Sequence, residues 1–204
     1  MTYTSHVVAF STDENIIEDC FLLTGRNAST KESIQTYCID AFVDMAFPNH
    51  QADGETINFI NSLFRKVIRR EELNKRSRHK RQTGQIPIRS EVRASPYSNW
   101  ERYATAVQRL KRTPSPEGIS PNAYDAIARI HTGSLTQHQG PAFLSWHRIY
   151  LLLLEEQLGT TIPYWDSSLD YHMTRPDRTV LFTAKYFGNG FGRVMTGFFG
   201  NLPG

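Results

Sequence analysis

"TQHQGPAFLSWHRIYLLLLEEQLG", residues 136–159, sets two histidines and a tryptophan at the head of a leucine-rich run. Phe143, His147, Tyr150, Leu151, Leu154 and Leu158 recur at the spacing of one helical face, Arg148, Glu155 and Glu156 fall on the other, and Gly159 ends the pattern. The pattern predicts a helix with His147 inside its buried stripe. An imidazole is costly to bury unless its ring nitrogens find partners, so a histidine there is either hydrogen-bonded or bound to a metal.

Working outward, Ser120 and Pro121 open "SPNAYDAIARIH", in which Tyr124, Ile127 and His131 lie at i, i+3 and i+7. His131 is therefore expected on the apolar face in the last turn of a second helix. The intervening loop adds His138, so three histidines converge on one short helix-loop-helix. Three neutral imidazoles without a neighbouring carboxylate or thiolate suit Cu(I) or Zn(II), and spacing alone does not choose between them. Backbone hydrogen bonding of each ring is the alternative reading of the same spacing.

The flanks are helical too. In "SPYSNWERYATAVQRLKR", residues 95–112, Ser95 can cap, Pro96 suits the first helical position, and Trp100, Tyr103, Val107 and Leu110 form a stripe. Ile34, Cys38, Phe42 and Met45 repeat at helical spacing, as do Ile57, Ile60, Phe64, Val67 and Ile68. The last of these helices runs into "RKVIRREELNKRSRHKR", residues 65–81, with nine Lys or Arg against Glu71 and Glu72. The break "RQTGQIP" follows, dividing the chain into an N-terminal accessory or pro-segment, residues 1–81, and a second unit, residues 82–204.

A composition of 39% hydrophobic and 21% charged residues suits one ordinary globular core, and no apolar run is long enough to predict a membrane span. The net charge of +3 comes from the basic run alone. That run reads as a solvated helix end, and with no aromatics interleaved to stack bases it predicts no nucleic-acid partner. The N-terminus lacks the pattern of a secretory signal. Even so, the glycosylation acceptor at Asn27, the pair Cys20 and Cys38, and the furin-type sequence Arg78-His79-Lys80-Arg81 together point to secretion, with processing expected before Gln82.

"YDAIARIHTGSLTQHQGPAFLSWHRIYLLLLEEQLGTTIPYWDSS", residues 124–168, closely resembles the first copper site of the family of tyrosinases, catechol oxidases and molluscan hemocyanins. The family pattern is a histidine ending a helix, a loop histidine, and the histidine of F-L-P-W-H-R-x-Y-L, followed by I-P-Y-W-D; His131, His138, His147 and residues 162–166 stand at those places. The likeness extends over about residues 86–204. It implies a mainly α, helical-bundle copper-binding domain, with His131, His138 and His147 as copper ligands, Phe143 against a ligand ring, and Asp166 as a hydrogen-bond acceptor or a simple turn residue. Ser145 replaces the usual proline, and Thr136 stands where some members cross-link a cysteine to the loop histidine, so the His138 loop is expected to be the least constrained part of the site.

In this family dioxygen binds between two coppers, the second held by an H-x-x-x-H pair and one more histidine. Of the seven histidines here, His6, His50, His79 and His172 remain, and no two of them have that spacing. The chain accordingly reads as truncated before the helices of the second site, with one copper ion and with little activity alone. A complete relative is expected to be an oxidoreductase that takes phenols and catechols to quinones with dioxygen. The alternatives are a noncatalytic copper or dioxygen-binding protein, and a zinc hydrolase, which would need a general base nearby. Self-association through an exposed apolar helix face is expected of such a half-site.

Overall fold

A computed structural model describes residues 39–40, 42–44, 46–47, 53–78, 87–115, 118–133, 138 and 142–202. Ile34, Cys38, Met45, the candidate cysteine pair, Asn27, the processing sequence beyond Arg78 and Thr136 lie outside these residues. The described part is helical: α1 (Gly54–Arg78), α2 (Tyr97–Arg112), α3 (Ala123–Gly133), α4 (Phe143–Leu158) and the single turn α5 (Ser168–Tyr171), with short 3-10 turns beyond. Residues 39, 40, 42–44 and 46 are helical as well. Among the described residues no helix is long and apolar enough to cross a membrane.

The helices form where the periodicity placed them, but their starts differ. Ser120 and Pro121 stand short of α3, whose cap is Asn122: its side-chain Oδ1 accepts the Asp125 N–H at 2.9 Å. Pro96 sits just outside α2 and supplies the carbonyl that takes the Asn99 N–H at 2.8 Å. In both cases the serine is too far upstream to reach the unpaired amides of the first turn. Asp53 opens α1 in the same manner, accepting from both the backbone and the hydroxyl of Thr56. Gly159 ends α4 in the left-handed conformation, φ 68°, as expected.

α4 packs against α1 and α2, and α2 packs against α3. The shared core takes Phe59, Ile60, Leu63, Phe64 and Val67 from α1, Val107 and Leu110 from α2, Ile127 and Ile130 from α3, and Trp146, Ile149 and Leu153 from α4, with Phe42 joining from upstream. A second cluster gathers Trp100, Val92, Leu181 and Tyr186 at the other end of α2. Its neighbour is the glycine-rich stretch 188–201. There Gly188 and Gly197 have φ of 89° and 73°, and a Cβ on either would meet a carbonyl oxygen at 2.5 Å, so no other residue fits.

The buried face of α4 is rotated from the predicted one. Trp146, Ile149, Leu153, Glu155 and Leu158 are buried, whereas Phe143 is exposed and Tyr150, Leu151 and Leu154 are half-buried. The expectation that Glu155 faces solvent is thus corrected. Arg89 lies alongside and forms a bidentate pair with it at 2.7 and 3.0 Å, and the Ile162 N–H donates to it at 2.9 Å. Segment 90–92 pairs in parallel with Tyr164, which holds the I-P-Y-W-D stretch next to α4.

Candidate metal centre

His131 occupies the last turn of α3 and His147 the first turns of α4, as the periodicity predicted, but the rotated face leaves His147 half-buried rather than inside the buried stripe. His138 comes in from the connection between them. One ring nitrogen from each lies within 4.8 Å of the others. The ring centroids are 5.0 Å apart for His131 and His138, 5.3 Å for His131 and His147, and 5.0 Å for His138 and His147. Three imidazoles from two helices and a loop thus meet at one point.

The local chemistry of the half-buried His147 discriminates between the two readings of a histidine on an apolar helix. Its Nδ1 is 2.7 Å from the Phe143 carbonyl, an acceptor only, so Nδ1 carries the proton and donates. Nε2 is then left with its lone pair. That atom is buried and has no hydrogen-bond partner among the described residues. A buried acceptor turned toward two other imidazoles is unfavourable in an empty protein and well suited to a metal ion. Burial lowers the pKa of His131 from the usual histidine value, and the neighbouring His147 and His138 rings lower it further. Desolvation and crowding therefore favour the neutral form of His131, the form that ligates.

Aromatic rings surround the triad. Phe143 lies 4.4 Å from the His147 ring, in the place expected for it, and Tyr150 lies 5.2 Å from His131. Trp146 lies against two of the three imidazoles, its ring centroid 6.1 Å from His131 and 5.0 Å from His147. Asp166 takes the simpler of its two expected roles, accepting from the backbone and hydroxyl of Ser168 at 3.1 and 2.6 Å. Sequence reasoning missed the acid that organises this region. It is Asp170, which accepts from Arg93 and from the Trp165 indole, each at 2.6 Å, while Arg93 also holds Glu91 at 2.9 Å. The alternating charges of Arg89, Glu91 and Arg93 were the available signal.

Residues 121–201 match the family model described as the common central domain of tyrosinase. The chain is 35% identical to tyrosinase-like protein 1 of Margaritifera margaritifera over 204 residues, covering 92% of this chain and 40% of that protein. It is 33% identical to a tyrosinase-like protein of Pinctada maxima over 158 residues, covering 73% of this chain and 33% of the relative. A tyrosinase of Streptomyces glaucescens is 35% identical over 102 residues, 47% of this chain and 35% of that enzyme. This chain therefore spans between a third and two fifths of the mollusc relatives it matches. The 92% coverage also reaches well into the first 81 residues, upstream of the region on which the resemblance first rested. No solved structure gives a significant match.

Proposed function

Because this chain belongs to the tyrosinase family, we propose that His131, His138 and His147 hold one copper ion, and that this is the first copper site of a protein that oxidises phenols or catechols. The observation that carries the reading is the convergence of three imidazoles, among them His147, whose Nε2 is buried without a partner among the described residues. Copper bound there supplies dioxygen binding in its reduced state and accepts electrons from phenolic substrates. The chain's own part is to prepare and protect the ligands. The Phe143 carbonyl fixes the His147 tautomer, desolvation keeps His131 neutral, and Trp146 and Tyr150 pack against the helix-borne rings.

A second reading, a noncatalytic copper or dioxygen-binding protein, rests on the same three ligands. Copper-loaded chain assayed with a catechol tests both readings. Copper binding near one ion per chain, abolished in His147→Ala, is the expected result, with catechol turnover by this chain no faster than by free copper. Robust turnover lost in His131→Ala would overturn the single-site reading.

Asn27, the cysteine pair and the basic sequence ending at Arg81 support secretion and a boundary between residues 1–81 and 82–204. Exposed Phe143 and Leu144 on α4 support self-association. Terminal sequencing of material from a secretory host, and its mass in solution, test these; an intact monomeric chain would count against both.

A further inference from the structure

Trp146 sits beside the two helix-borne histidines of the triad, its ring centroid 6.1 Å from His131 and 5.0 Å from His147, and among the described residues nothing polar fixes it. Its side chain is fully buried, and its indole N–H has no hydrogen-bond partner among the described residues. A buried ring without a hydrogen bond is oriented by packing alone. The packing is specific. Trp146 lies nearly parallel to Tyr150, 5.4 Å away at 10°, and nearly parallel to Phe42, 5.0 Å away at 4°. Phe42 is itself fully buried and braced edge-on by Phe64 of α1 at 5.4 Å and 75°.

Phe42 therefore comes from the part of the chain that the sequence sets apart as accessory, and it faces the residue on which both helix-borne imidazoles rest. Further contacts fasten the same part to the site's helices. Arg70 of α1 pairs with Glu156 of α4 at 3.1 Å, and Asp53, capping α1, pairs with Arg129 of α3 at 3.5 Å. Resting on the copper-site reading above, we propose that Phe42 is a positioning residue for that site: the N-terminal segment sets the plane of Trp146 through Phe42, and Trp146 in turn fixes the His131 and His147 rings. The consequence is that residues upstream of the basic run are a working part of the metal centre. The similarity to Margaritifera tyrosinase-like protein 1, which reaches into this part of the chain, fits such a role.

The experiment compares full-length Phe42→Ala and Phe42→Leu with Leu181→Ala, a buried residue of the second core cluster away from the triad. Copper affinity is read by competition with a chelator, and ligand geometry by the EPR spectrum of the Cu(II) form. Both Phe42 variants are expected to bind copper about tenfold more weakly, the usual scale for a residue that supports a ligand, with a shifted EPR spectrum. Leu181→Ala is expected to lose stability while keeping parental affinity and spectrum. Phe42→Leu retains much of the buried volume and keeps the test decisive if Phe42→Ala does not fold. Parental affinity and spectrum in a folded Phe42 variant, or an equal change in Leu181→Ala, overturns the proposal while the copper site stands. Failure of the unmodified chain to bind copper overturns the site itself.

Discussion

Helix α4 carries two polar groups with buried atoms two turns apart, Glu155 and the half-buried His147, and they are buried for opposite reasons. Glu155 is saturated: Arg89 donates twice and the Ile162 N–H once, so its carboxylate has a partner on each oxygen. His147 is half satisfied: Nδ1 donates to the Phe143 carbonyl while Nε2 is buried with nothing to accept among the described residues. A satisfied group belongs to the architecture, holding segment 87–92 and the I-P-Y-W-D stretch against the helix. An unsatisfied one leaves a place where a ligand would supply the missing partner. Substitution at the two positions should accordingly separate metal binding from stability.

The largest effect is expected at the unsatisfied end. His147→Ala should abolish stoichiometric copper binding, as measured by metal analysis after gel filtration, while changing the stability of the metal-free protein by no more than about 1 kcal/mol. His138→Ala should retain weak binding, since His138 is exposed on a connection whereas His147 is set in the helix with one nitrogen already fixed. Equal copper in the His147→Ala and parent proteins would break the comparison.

The converse applies at the satisfied end. Glu155→Ala leaves the Arg89 guanidinium and the Ile162 N–H without their acceptor, and loss of one partner of a buried pair costs about 3–5 kcal/mol. Because Arg89 is one-third exposed, water can compensate part of that, and a loss of about 2–3 kcal/mol is expected in urea unfolding. The folded fraction should bind copper with parental stoichiometry. A Glu155→Ala protein that is stable but copper-free would show that the acid serves the site after all.

The contrast also explains what could be read from the sequence. The helices, the place of His131 and His147 on them, and the triad itself follow from local periodicity and from a motif spanning residues 124–168, because both are written in neighbouring residues. The orientation of α4 was not legible, since it depends on Arg89, 66 positions upstream of Glu155, and a charged residue reads as exposed until its partner is known. The rotated face has the same origin: Leu151 and Leu154 look like core by composition, but α1 and α2 pack on the Trp146, Ile149 and Leu153 side. The role of Phe42 was hidden in the same way, as one apolar residue of a helical repeat 104 positions from the Trp146 it stacks upon.

The smallest effect is expected at Asp170, and it is read through pH. Burial alone would raise its pKa, but hydrogen bonds from Trp165, Arg93 and Thr179 and the Arg93 charge outweigh it, and the carboxyl is held below 3.8. A carboxylate with a depressed pKa in the folded state stabilises the protein fully above its unfolded pKa of about 3.9, and that contribution disappears as pH falls through the folded value. Asp170→Asn keeps an acceptor for the Trp165 indole but loses the charge paired with Arg93. It should lower stability by about 1–2 kcal/mol at neutral pH. The difference between parent and variant should be constant from pH 7 to about 5 and shrink below about 4. Taking that difference in copper-free protein cancels the imidazoles, which titrate in both proteins alike. A gap that instead closes between pH 7 and 6 would tie Asp170 to the histidine triad.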